Sequence, residues 1–261
     1  MSFDLLSWIA LATAVGVGAF VQAAVGFGFG IVATPVALGV IGSVEAIAVM
    51  VGVHLVQAVL VVPRVARDAP RRLLLTLMAA SLIGMPAGLI VLGQLDLPTL
   101  RLVVGVSLLA FTAYLTWREF ASRSAPTVAR DAAIGAGGQS PALTTVAASA
   151  GAIAGGLTAL LVMPGPPVAI LGGWLRMSPQ TFRALMLTFM SFCYVATAAL
   201  FAVVGRATHD VMLTTAILAP VVAVATLAGG ALSGRLGDQR HRAAILLICA
   251  LSGIYALASA L

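Results

Sequence analysis

Two stretches of this chain combine glycine, proline and a hydroxyl group in the pattern of an interrupted helix. The first is Val25-Gly26-Phe27-Gly28-Phe29-Gly30-Ile31-Val32-Ala33-Thr34-Pro35, and the second runs from Gly155-Gly156 to Met163-Pro164-Gly165-Pro166-Pro167. Glycine and proline both interrupt helices, so each stretch is expected to join two short helices through a non-helical link. Threonine suits an N-cap, and proline suits the first helical position, where its missing N–H is not needed. A short helix is therefore expected to start at Thr34-Pro35 and another at Gly165-Pro166-Pro167. A helix N-terminus carries about half a positive charge and N–H groups without partners. Two such ends facing each other would hold an anion with no buried basic side chain. The expected lining is Thr34, Pro35 and Val36 at one tip and Pro166, Pro167, Val168 and Ala169 at the other, with Val168 and Ala169 as donors because proline has no N–H. Gly26, Gly28, Gly30, Gly155 and Gly165 would let backbone approach the ligand. The competing reading of both stretches is a pair of packed kinks.

A few polar side chains lie within otherwise apolar runs. His54 and Gln57 are one turn apart and are assigned to the same binding site. Gln22, Arg183, Ser191 and Tyr194 are secondary candidates. For His54 the alternatives are internal hydrogen bonding, ligand contact and proton handling. For Arg183 they are a topology anchor and an inward reach toward an anion. All eight acids, Asp4, Glu45, Asp68, Asp96, Glu119, Asp131, Asp210 and Asp238, fall at the ends of apolar runs or between them. A cation or proton-coupled carrier usually buries carboxylates within the membrane, so no metal or sodium site is expected.

The elements that position these groups follow from composition. Of 261 residues, 61% are hydrophobic and only 8% charged, with a mean hydropathy of +1.13. A soluble domain carries about 25% charge. A spanning helix needs about 20 apolar residues, and six such runs are visible: 44–62, 73–92, 99–117, 182–204, 211–233 and 243–261. No period-2 alternation suggests a barrel. All fourteen basic residues are arginine, set in short polar stretches. The isoelectric point near 10.6 therefore reads as topology signal and not as a nucleic-acid surface. Cys193 and Cys249 lie in apolar runs and suggest neither a disulfide nor a metal site. The start Met-Ser-Phe-Asp lacks the basic region of a cleaved signal peptide.

The two halves repeat the same order of features. Each has a broken segment, then a span opened by Ser43-Val44-Glu45-Ala46 or Thr181-Phe182-Arg183-Ala184, then a span carrying Gly84/Gly88 or Gly230/Gly234. This order reads as an internal duplication: residues 1–117, a polar linker 118–142, and 143–261. Arginine placement chooses the topology. If each broken segment crosses once, the arginines divide eight to six. If each dips in and returns to its own side, twelve share one side and only Arg101 and Arg206 face the other. The second split fits the positive-inside rule. The expected fold is an all-α integral membrane protein, an inverted-repeat helical bundle with six full spans and two re-entrant hairpins, 5–42 and 143–175, with both termini outside.

Taken together, the glycine-rich Gly26-to-Gly30 start followed by Thr34-Pro35, Gly155-Gly156 followed by Pro164 and Pro167, and the Arg183-Ala184 span opening resemble the sulfite exporter (TauE/SafE) family over essentially the whole chain. The alanine-rich second motif, with Met163 and adjacent prolines, departs from the usual glycine-richer form. The resemblance implies a transporter of sulfite, organosulfonates or related organic acids in a bacterial inner membrane. An intramembrane serine protease would need a serine nucleophile with a histidine base in reach; His54 is the only histidine within a span and there is no Gly-x-Ser-x-Gly motif, so no enzyme activity and no cofactor are expected. A small anion and the lipid bilayer are the expected partners, with the proton as a candidate coupling ion and oligomerisation left open. The alternatives are an anion channel that uses the same half-helix site and a non-transporting scaffold.

Overall fold

A computed structural model of the chain describes residues 4–121, 141–175 and 177–233, together with Ala258. Among the described residues there are nine α-helices: α1 Leu5–Val25, α2 Phe29–Ile41, α3 Glu45–Val65, α4 Arg71–Gln94, α5 Leu97–Ala121, α6 Pro141–Leu161, α7 Gly165–Trp174, α8 Pro179–Val203 and α9 His209–Leu232. A 3-10 turn, Ala66–Asp68, follows α3. Five of the six expected spans coincide with α3, α4, α5, α8 and α9. The sixth, 243–261, lies outside the described residues, as does most of the linker 118–142.

The broken segments differ from expectation in the length of their first arms. The expectation is two short helices in each. Instead α1 and α6 are 21 residues each, and both are long and apolar enough to cross a membrane. The described residues therefore hold seven such helices. Only α2 and α7, with 13 and 10 residues, are short. The reason is packing: glycines within α1 and α6 do not interrupt these helices but sit where another element presses close. Gly18 faces the backbone of Phe29, and Gly151 and Gly155 face the backbone of Leu77 and Ser81.

Polar residues mark the helix ends. Asp4 accepts the Ser7 N–H at 3.2 Å and caps α1, which holds its carboxyl below the ordinary carboxylate range. Ser178 caps α8 and Thr208 caps α9. The chain then turns sharply: Gly26 and Gly28 have φ of 107° and 119°, a region open to glycine and costly for residues with a Cβ. α2 folds back along α1.

The halves pack reciprocally. α1 lies on α9, α4 lies on α6, and α3 meets α8 between them. Thus the first helix of each half packs on the fourth helix of the other. At α4–α6 the expected small-residue motif is used: a Cβ at Gly84 or Gly88 would collide with the carbonyl oxygens of Ala152 or Gly156. Such contacts let helix backbones approach closely in lipid. At α1–α9 the contact residue is Gly229, pressed on Phe20, whereas Gly230 faces open space. The expected pair Gly230/Gly234 is thus out of register with the interface, and Gly234 lies outside the described residues. At one end of the bundle, Gln180 Nε2 donates to Asp68 Oδ2 at 3.0 Å. At another, Arg101 of α5 donates to Leu38 O near the end of α2 at 2.8 Å.

Candidate functional site

The two joints, 26–28 and 162–164, meet. A cavity of about 10 Å³ lies between them, lined by Phe27, Gly28, Gly30, Ile31, Val162, Met163, Gly165, Pro166 and Met190. That volume is near the lower limit for one water molecule. A Cβ at Gly30 would strike the Val162 carbonyl oxygen, so the start of α2 rests directly on the second joint. α2 and α7 both begin at this cavity and run away from it.

At the first joint the expected helix start is wrong by six residues. α2 begins at Phe29, not at Thr34-Pro35. Its cap is Gln22 of α1, whose Oε1 accepts the Phe29 N–H at 3.2 Å. The left-handed Gly28 has already broken the chain and Gln22 caps the start there, so Thr34 has no helix start to cap. Thr34, Pro35 and Val36 fall in the second turn, so the N–H groups of Thr34 and Val36 belong to the helix interior. Pro35 sits inside the helix, and the Thr34 hydroxyl is buried with no partner among the described residues. By helix geometry the N–H groups of Gly30 and Ile31 lack an intrahelical acceptor, and these two residues line the cavity.

The second joint matches the expected start. α7 begins at Gly165, with Pro166 and Pro167 in its first turn. Since the prolines carry no N–H, Gly165 is the donor of that first turn. Val168 and Ala169 are buried at the start of the next turn. Val162 holds a left-handed φ of 60°, which costs a residue with a Cβ about 1–2 kcal/mol. Its carbonyl accepts the Tyr194 O–H at 3.3 Å. Gly155 is not at the joint: it lies within α6, against the Ser81 backbone.

The C-terminus of α1 also points at the first joint, and its carbonyls oppose an anion. Arg183, the fifth residue of α8, answers it: Nε and Nη2 both donate to Ala23 O, at 3.1 and 2.6 Å. Arg183 thus ties the start of α8 to the end of α1.

Around the joints the buried polar residues form one cluster. The His54 ring stacks on Tyr194 at 3.6 Å between centroids and meets Phe29 at 3.9 Å. His54 Nδ1 lies 2.7 Å from Met50 O. A carbonyl only accepts, so Nδ1 carries the hydrogen, and Nε2 is left buried with no partner. Gln57 Nε2 donates to Ala19 O at 2.9 Å and ties α3 to α1. Ser191 is buried on α8, one residue beyond the cavity-lining Met190. Of the expected site residues, Gly28, Gly30, Gly165 and Pro166 line the cavity, Gln22 bonds to Phe29 at the start of α2, and His54 packs between Phe29 and Tyr194. Sequence reasoning missed Phe27, Phe29, Val162, Met163 and Met190, for which no polar or helix-breaking signal exists.

No curated protein and no solved structure matches the chain significantly. A family model does: it matches residues 10–256 and describes the sulfite exporter TauE/SafE. A match spanning both joints, both reciprocal helix pairs and the buried cluster makes this multi-pass membrane protein a member of the sulfite exporter TauE/SafE family, a family of transporters.

Proposed function

We propose that this chain carries small anions, sulfite, organosulfonates or related organic acids, across a bacterial inner membrane by alternating access around the two joints. The carrying observation is that α2 and α7 both start at one shared cavity, with Gly28, Gly30, Gly165 and Pro166 in its wall. Their positive ends converge there, and Arg183 cancels the opposing carbonyl end of α1. One helix end contributes about 0.3–1 kcal/mol when exposed and up to about 2 when partly buried. Two ends thus give about 4 kcal/mol at most, near millimolar affinity, which a carrier can release. The cavity, no larger than one water molecule, favours a carrier over an open channel: an anion enters only if the joints separate. His54, Gln57 and Tyr194 support the joints from behind, with Gln22 and Ser191 beside them.

The proposed topology is an inverted pair of repeats, 1–117 and 143–261, each opened by a hairpin that returns to its own side. The Asp68–Gln180 hydrogen bond supports it. In a chain of eight simple crossings these two residues would stand on opposite faces of the membrane. Single cysteines at positions 68 and 180 should be labelled from one face and a cysteine at 208 from the other. Labelling of 68 and 180 from opposite faces would sink the inverted arrangement. For the substrate, a thermal-shift screen of purified protein against sulfite, sulfonates and carboxylates is the direct test, because a bound ligand stabilises by mass action. No shift with any anion at tens of millimolar would remove the anion-site reading.

A further inference from the structure

We propose that His54 takes up one proton at Nε2 each time an anion enters the site, so that proton and anion occupy and leave the protein together. The inference rests on the anion-site reading above and adds the coupled ion. It starts from an orphan: His54 is 1% exposed, its Nδ1–H is committed to Met50 O, and its Nε2 lone pair meets no donor among the described residues. A buried acceptor left unmade is costly, and protonation turns Nε2 into a donor that in turn calls for negative charge nearby.

The surroundings decide when that proton can stay. Phe29, the first residue of α2, lies edge-on to the imidazole, so the ring stands directly behind the helix start that faces the cavity. Tyr194 covers its other side. Of the other helices around α3, α1, α2 and α6 carry no titratable residue. α8 contributes Tyr194, Cys193 and Arg183. α9 carries only His209 and Asp210 at its outer start, and the turn after α3 carries Arg67 and Asp68 at the bundle end. α3 itself carries Glu45 and Arg64 near its two ends, and among the described residues no carboxylate pairs with His54. Arg183, the nearest cation along α8, is eleven positions from Tyr194, about 16 Å of helix rise. An imidazolium here would be a buried charge without a counter-ion, which is strongly unfavourable. An anion at the cavity supplies the counter-ion. By linkage each then promotes the other's binding: the proton comes from the aqueous side to which the site is open, rests on Nε2 while the anion is held, and leaves with it.

Methanesulfonate is a suitable probe because it stays anionic through the neutral range. Calorimetric titration of the purified protein in two buffers of different ionisation enthalpy counts protons taken up per anion bound. The expected result is close to one proton per methanesulfonate, with affinity rising about tenfold for each pH unit lowered between pH 8 and 6. His54→Gln should bind with the weak high-pH affinity of the wild type at every pH and take up no proton. Wild-type binding without proton uptake would overturn the coupling and leave the anion site standing. Undiminished proton uptake in His54→Gln would move the coupling elsewhere. If neither methanesulfonate nor sulfite binds at any pH, the anion site fails and the coupling with it. If His54→Gln does not fold, His54→Asn carries the same test, with loss of proton uptake expected and undiminished uptake again moving the coupling elsewhere.

Discussion

The two joints reach one geometry by different chemistry. The first is built from glycine: Gly26 and Gly28 turn at positive φ without strain, Gln22 reaches across to cap Phe29, and Arg183 neutralises the helix end that arrives there. The second is built from proline and strain: Val162 is forced into a left-handed turn, Tyr194 holds its carbonyl, and Pro166 and Pro167 start α7 without offering hydrogens. On the proposed anion-site reading, the first joint carries most of the positive potential and the second supplies shape and stiffness. On the proposed duplication, the two copies would then divide labour between them.

The largest expected effect comes from filling the contact between the joints. Gly30→Val drives a branched side chain into the Val162 carbonyl. Because the obstacle is backbone and not a flexible side chain, overpacking should cost about 1–3 kcal/mol, and anion binding should vanish at every pH. A Gly30→Val protein that still shows a ligand-induced thermal shift would mean that the joints do not hold the anion. Next is Gln22→Leu, which leaves the Phe29 N–H buried and uncapped. A loss of about 1–2 kcal/mol is expected, read as a lower melting temperature. An unchanged melting temperature would show that the first joint does not depend on that cap. Tyr194→Phe removes one neutral hydrogen bond from the second joint and should cost about 0.5–1.5 kcal/mol. If it costs more than Gln22→Leu, the second joint is the more fragile of the two. The smallest effect is a gain. Pro167→Ala returns an N–H to the first turn of α7, and one more donor at a helix start is worth about 0.3–1 kcal/mol. Anion affinity should rise about two- to fivefold, narrowing the difference between the joints; a fall in affinity would mean that proline stiffness matters more than the donor.

These residues also explain what could be read in advance. Long apolar runs and arginine placement marked α3, α4, α5, α8 and α9, because burial in lipid demands uninterrupted hydrophobic length. The broken segments were legible as breaks, since glycine and proline act locally. The exact start of α2 was not: Thr34-Pro35 has the local form of a cap, but the choice was made by Gln22, a side chain seven positions before Phe29 that meets it only after the chain folds back. The long arms were hidden for a similar reason. Gly18, Gly151 and Gly155 look like interruptions in one dimension and become contacts in three. His54 was visible as an odd polar residue in an apolar run, but its place between Tyr194 and Phe29 depends on three helices at once. Val162 gave no warning, because its left-handed turn is imposed by what surrounds it.

Arg101 stands apart from most of its kind, one of two arginines on the sparsely charged side of the proposed topology, and its hydrogen bond to Leu38 O gives that isolation a purpose. A helix of 13 residues is only about 20 Å long, so in a medium of low permittivity its negative far end would undo much of the attraction felt at its start. With the guanidinium seated on that far end, the negative pole is cancelled and the positive pole is left standing alone. In the language of fields, on the proposed anion-site reading α2 would act less as a short bar magnet than as a point source: its pull on an anion would fall off slowly with distance, as a charge's does, and extend beyond the cavity toward whichever face of the membrane the site opens.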